Sequence, residues 1–212
     1  MTNSKYEITD IAHKKYPFLH RIRALRDIGN DVKAGDLGGF VESEENLSFE
    51  KDDEAWIYDD AISAGQAVVN EDAQLRDRAI ACHSALVSLG SVLRDDARVE
   101  DNAYIRGSFM KDHARASGGA MVLDSPETSM CPILSGDCAV YGIVTGNFRL
   151  SDHVTVFEDE KLSNSTWDIF VITDSGRSVV REPLRDRLKP HLCEEDASKK
   201  ARQIGRKRGR SR

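Results

Sequence analysis

From Ile57 to Ile105 an apolar side chain returns at almost every sixth position: Ile57, Ser63, Val69, Leu75, Ala81, Val87, Leu93, Val99 and Ile105. Four places after each stands a second series: Ala61, Ala67, Ala73, Ala79, Ala85, Ser91, Ala97, Ala103 and Phe109. Seven of the nine residues in the first series are large aliphatics and seven of the nine in the second are alanine, so two distinct spaces recur with one period. A period of six over nine units predicts an all-β solenoid of hexapeptides, the parallel β-helix class. A coiled coil would repeat every seven residues, and a hairpin sheet would place turns about every 8–12.

Three such units make a triangular turn, so residues about 18 apart stack on one another. Each flat side is a short strand in which alternate side chains point to opposite faces. The first position of each unit fills the interior. The fifth also points toward the axis, beside a tight corner where only a small side chain fits. The corners are acidic and turn-prone: Asp59-Asp60, Glu71-Asp72, Asp95-Asp96 and Asp101-Asn102. Asp and Asn tolerate the left-handed backbone such corners need.

Interruptions follow. Ile105 to Met110 spans five positions rather than six, after which Met110, Ala114, Ala116, Ala120 and Val122 resume the pattern. Residues 123–137 break it and carry two prolines, predicting a loop ejected from a corner. Beyond it Cys138, Val144, Leu150 and Val156 read as inward positions, with Gly142, Phe148 and Val154 as their companions. With a weaker segment at 37–55, the pattern predicts about five coils over residues 37–160. Residues 1–36 and 161–196 then read as caps covering the open ends of the solenoid, which would otherwise invite polymerisation. LHRIRAL at 19–25 has the alternation of a half-exposed strand, and GDLGG at 35–39 reads as a turn. WDIFVITDSGRSVV at 167–180 predicts a hairpin around Asp174-Ser175-Gly176, and PLRDRLKPHL at 183–192 a short helix.

The aliphatic-then-small pattern over 57–110 resembles the hexapeptide-repeat superfamily, which implies a left-handed coil. A narrower resemblance covers LHRIRALRDIGNDVKAGDLGGFVESEENLS at 19–48 and AWIYDDA at 55–61. These stretches are similar to YdcK-like proteins of bacteriophages and prophages. In that group a basic strand, a GDLGG-type segment, a serine-terminated acidic stretch and Trp-x-Tyr-Asp-x-Ala lead into the repeats.

Charge divides the chain. Residues 197–212 hold eight Lys or Arg and no acid, which leaves 22 basic against 36 acidic side chains, a formal −14, over residues 1–196. A block of like charge with Gly and Ser predicts a disordered, solvated tail. Its Arg206, Lys207, Arg208, Arg210 and Arg212 are candidates for phosphate contacts with nucleic acid or for binding a protein partner. No apolar run reaches the roughly 18 residues of a membrane span, and the N-terminus has no signal-peptide core. The four cysteines show no CxxC spacing and read as free thiols of a cytoplasmic protein.

Hexapeptide acyltransferases use a histidine as general base at a subunit interface, which makes His83, His113 and His153 the positions to weigh. Counting units places His83 and His113 on different sides of the triangle, and the ejected loop carries no histidine. The superfamily's zinc enzymes bind metal through closely spaced histidines; here His113 and His153 are 40 residues apart, so no metal site is expected. No P-loop, GxSxG or HExxH motif is present. Two expectations result. One is a non-catalytic interaction protein, its acidic solenoid competing with nucleic acid for a host or phage partner, as an inhibitor of host defence would, and needing no cofactor. The other is an acyltransferase using acyl-CoA, with His83 or His113 as base and the 123–137 loop shaping its pocket. A trimer or dimer packed side by side fits either.

Overall fold

A computed structural model of the chain describes residues 3–181. Among these residues the only helical element is a single 3-10 turn, Glu44–Asn46, and everything else regular is strand. Three parallel sheets run the length of the structure. One holds the stacked strands Ile62–Ser63, Ile80–Ala81, Arg98–Val99, Arg115–Ala116, Ala139–Val140 and Thr155–Val156. The second begins at Val68–Val69 and ends at Lys161–Asn164; the third begins at Trp56–Ile57 and continues to Ile169–Thr173. The chain visits the three sides in rotation, so the fold is a parallel β-solenoid.

It has about seven turns rather than five. Each of the three sides has seven levels: those at Leu37–Val41 and Leu47 fall in the weaker segment 37–55 already read as solenoid, while the one at Ile169–Thr173 lies in the stretch read as a cap. The first side gains a level from Leu37–Val41, whose Phe40 and Val41 pair with Ile62 and Ser63. The second gains one from the bridge between Leu47 and Val69. The third gains one from Ile169–Thr173, which pairs with Phe148–Leu150. These levels lack the six-residue period because their corners are built from side chains specific to each end. Asn46, fully buried, accepts from the amides of Glu42 and Ser43 and donates to the carbonyls of Gly65 and Ala67. Asn164 does comparable work at the far end, donating to the carbonyls of Asn147 and Asp168.

Within the repeat, both predicted series are inside. Ile57, Leu75, Leu93, Ile105 and the alanines from Ala61 to Ala103 are buried. Each fully buried aliphatic contributes about 1.5–3 kcal/mol. Ser91 stands where alanine is the rule because its hydroxyl donates to the Ser88 carbonyl and accepts from the Ser108 amide one turn on. Strands of two or three residues supply little cooperativity alone. The turns are held instead by a lattice of inter-turn amide bonds, such as Tyr58 N–H to the Leu75 carbonyl at 2.8 Å and Ile62 N–H to that of Ala79 at 2.9 Å.

Three local expectations change. The excursion is shorter than 123–137, because Leu123 ends a strand and Ile133–Leu134 forms another against Phe109–Met110. Cys138 is therefore a companion, four places after Leu134, and Val140 takes the inward strand position. The corner between Val140 and Val144 is two residues short, and Gly142 makes that shortcut feasible. A Cβ there would lie 2.2 Å from the Phe157 carbonyl oxygen and 2.4 Å from that of Glu160. The third change concerns GDLGG: Gly38 and Gly39 lie inside the strand Leu37–Val41, and the turn precedes them at Gly35. A Cβ at Gly39 would sit 2.4 Å from the Ala61 carbonyl oxygen, so the strand lies against the first coil only without side chains.

At the N-terminus, β1 (Tyr6–Ala12) and β2 (His20–Ala24) pair antiparallel, and β2 continues antiparallel onto β3 (Leu37–Val41). The preceding Lys5 is buried and donates from Nζ to the Ser48 carbonyl at 2.8 Å. Burial lowers its pKa to about 8, against the pull of Asp53. Tyr6 packs edge-on to Trp56 and donates to carbonyl oxygens of Glu44 and Leu47. The hairpin strands Ile169–Thr173 and Gly176–Val180 close the third sheet. The predicted helix at 183–192 and the tail at 197–212 lie outside the described residues.

Gly142→Ala is expected to lower the urea midpoint clearly, by a stability loss of about 2 kcal/mol or more. Gly119→Ala, where the added methyl meets open space, is expected to stay within about 0.5 kcal/mol of the native chain. Equilibrium unfolding of the two variants side by side checks the contrast.

Candidate functional site

The corner joining the third side to the first repeats one backbone device. Asp59, Asp77, Asp95, Asp112, Gly136 and Asp152 stack there, all with φ between 50° and 65°. An acid at this position does more than tolerate the left-handed turn. Asp59 Oδ2 accepts the Asp77 amide at 3.1 Å, Asp77 Oδ2 that of Asp95, Asp95 Oδ2 that of Asp112, and Asp112 Oδ2 that of Gly136 at 3.0 Å. Each carboxylate thus caps the amide that the next turn's corner leaves without a backbone partner.

The corner joining the first side to the second uses the same device, and His83 belongs to it. His83 has φ 62°, and its Nδ1 accepts the Asp101 amide at 3.2 Å, as an aspartate would. Asp101 Oδ2 then accepts the Gly118 amide at 3.0 Å. The Asp101 carboxylate oxygen Oδ1 also lies 3.2 Å from His83 Nδ1. That ion pair needs a proton on Nδ1, whereas the amide bond needs the lone pair. The amide bond repeats the rule of the other turns and places the proton of the neutral ring on Nε2.

Cys82 lies beside this histidine, with Sγ 3.9 Å from the same Nδ1. The trio Cys82, His83 and Asp101 has the composition of a nucleophile, base and orienting acid, but both partners address one ring nitrogen. A relay needs one partner on each. Burial, reinforced by Glu100 and Asp101, raises the Cys82 pKa and keeps the thiol protonated.

His113 and His153 belong to a second row on the first-described corner, one residue past the left-handed aspartates. The row reads Asp60, Arg78, Asp96, His113, Asp137, His153 and alternates in sign. Arg21 reaches Asp60 at 2.6 Å, and Arg78 holds Asp96 with two bonds of 2.8 and 2.5 Å. His113 stands 3.8 Å from Asp96 through Nε2 and 3.5 Å from Asp137 through Nδ1. His153 stands 3.9 Å from Asp137, and its Nδ1 meets Asp174 at 2.8 Å. The Arg78 bond lowers the Asp96 pKa, and the Asp174 bond raises that of His153. A raised imidazole is more fully protonated near neutrality and correspondingly less available as a base.

His83 and His113 therefore occupy different corners, and nothing in the described residues brings them together. Among those residues no group of three or more His, Cys, Asp or Glu side chains is arranged to hold a metal ion. The candidates Arg206, Lys207, Arg208, Arg210 and Arg212 lie outside the described residues. The feature that residue-by-residue reading misses is the alternating row. Its signal is legible at 60, 78 and 96, spaced by 18, and is then lost because the excursion and the shortened corner change the spacing. No protein-family model matches the chain, and no curated protein matches it by sequence.

His83→Asp is expected to fold with nearly native stability, because a carboxylate can cap the Asp101 amide. His83→Val is expected to lose about 1–2 kcal/mol, from a β-branched residue at positive φ together with the lost cap. Urea denaturation compares them. The His153–Asp174 pair makes a pH prediction. A raised His153 pKa means its contribution is complete below the ordinary imidazole value of 6.5 and is lost as pH rises through the raised value. Asp174, whose pKa is lowered by the same bond, contributes above the ordinary 3.8 and loses its contribution as pH falls through its lowered value. The difference in melting temperature between the native chain and His153→Gln should peak between those values and vanish at alkaline pH.

Proposed function

We propose that this chain is a non-catalytic binding protein of the YdcK-like, phage-derived kind, with a left-handed coil, acting in the cytoplasm on a host or phage protein. The supporting observation is the use made of its solenoid histidines. His83 substitutes for an aspartate as an amide cap, and His113 and His153 sit between carboxylates in an alternating row. Among the described residues, each has its partners within the corner that carries it. What the solenoid offers a partner is a rigid prism whose corners carry regularly spaced carboxylates, in a body of formal charge −14 over residues 1–196. Such a surface attracts a basic protein over a distance of about one Debye length, roughly 8–10 Å at physiological salt. A basic protein of that kind is one that otherwise handles nucleic acid, and occupying its cationic surface would inhibit it.

The test is affinity capture from bacterial lysate, using the full chain with Arg206, Lys207, Arg208, Arg210 and Arg212 changed to glutamine so that bound nucleic acid does not bridge. Capture of a nucleic-acid-handling protein that is released by salt, and no heat of binding with acetyl-CoA, are the expected outcomes. Acetyl-CoA binding that disappears in His83→Gln or His113→Gln would replace this reading with acyl transfer.

A further inference from the structure

A groove of about 500 Å³ lies between the N-terminal hairpin and the first side of the solenoid. Its volume falls within the roughly 300–1,000 Å³ range of small-ligand sites. Phe40, Ile62 and Ile80 contribute apolar surface, while the segment from Ile11 to Tyr16, joining β1 to β2, lines it from the hairpin. This is an unusual place for positive charge in an acidic chain. Five Lys or Arg side chains line the groove against two acids, Asp60 and Asp96.

The two acids are already committed. Asp60 is held by Arg21, and Asp96 is held by two bonds from Arg78. That leaves Lys14, Lys15 and Arg98 without a matching carboxylate in the groove. Arg98 pairs with Glu100 at 3.7 Å outside the groove lining, sharing that carboxylate with Arg115, which takes its other oxygen. Both lysines are exposed at the hairpin, with Lys15 Nζ 5.2 Å over the Tyr16 ring, so two lysines without a carboxylate and an arginine that shares one face the same space from two separate elements.

The groove also has a flat aromatic wall. His13 and Tyr16 stack with centroids 5.3 Å apart and planes 13° from parallel, and His13 meets Phe40 edge-on at 4.8 Å. The His13 ring is held in place because its Nδ1 accepts the amides of Lys15 and Tyr16. A preformed aromatic platform beside a net excess of cations suits a ligand with a planar ring and a multiply charged anionic group. A carboxylate side chain of a peptide carries one charge and no ring, so it would leave most of these features unused.

We propose that this groove binds a small nucleoside phosphate, the base lying along the Tyr16 platform and the phosphates meeting Lys14, Lys15 and Arg98. The groove borders the corner row at Asp60, Arg78 and Asp96, but the proposal does not depend on the protein-partner reading. Isothermal titration of the full chain with ATP, inorganic phosphate, adenosine and a ten-nucleotide single strand tests it. Saturable one-to-one binding of ATP is expected, with phosphate and adenosine each at least about tenfold weaker, since each supplies half of the contacts. Lys14→Glu/Lys15→Glu and, separately, Arg98→Gln should weaken ATP about tenfold or more, as expected for loss of charge-assisted bonds. Substituting the four tail arginines and one lysine named above should leave ATP binding unchanged. The proposal is overturned if ATP does not bind, if binding survives both groove variants, if the tail substitutions abolish it, or if only the single strand binds.

Discussion

Everything in this molecule is arranged around the corner. A triangular coil of short strands must turn sharply after every hexad, and at the two corners flanking the first side the left-handed residue has an amide that no backbone carbonyl satisfies. Stacked carboxylates satisfy it, each reaching one turn along to the amide of the next corner. The interior follows from that geometry. With the corner set, one position per hexad faces an open interior and takes Leu, Ile or Val, and another faces the narrow space beside the corner and takes Ala. The hydrophobic repeat is therefore partly a consequence of the polar one.

The same constraint explains why the charged residues carry less chemical meaning than their types imply. A histidine, several aspartates and a cysteine within one turn look like catalytic machinery. Placed on the lattice, His83 is an amide cap, Asp101 caps the following turn, and Cys82 is a protonated thiol beside both. The alternating row of Asp60, Arg78, Asp96, His113, Asp137 and His153 offsets the repulsion that stacked corner acids would otherwise accumulate. Exposed pairs of this kind are individually weak, about 0–1 kcal/mol each, and their arrangement as a row matters more than any one contact.

Much of this is readable from the chain because a solenoid is close to one-dimensional: each turn contacts only its neighbours, so a local period reports the tertiary packing directly. Ile57 to Ile105 can be assigned inward one by one. Legibility stops where a non-local contact replaces the period. Leu37–Val41 is a strand because its glycines let it lie against Ala61 and Ile57, a relation that GDLGG alone does not express. Periodicity misplaces Cys138 by two positions because the excursion restarts the register at Ile133. The short Gly142 corner then hides the error by returning Val144, Leu150 and Val156 to inward sites.

The solenoid, its interior and the acidity of its corners are written in the chain, because they depend on residues six or eighteen apart along a regular path. The number of turns, the roles of the histidines and the existence of the basic aromatic groove emerge only in three dimensions. The end turns are closed by Asn46 and Asn164, whose partners lie up to 21 residues away. The histidines acquire their roles from the turn stacked against them, and the groove exists because a hairpin from the first 24 residues folds onto strands near residues 62, 80 and 98. Such relations follow from which surfaces meet, and no local pattern encodes them.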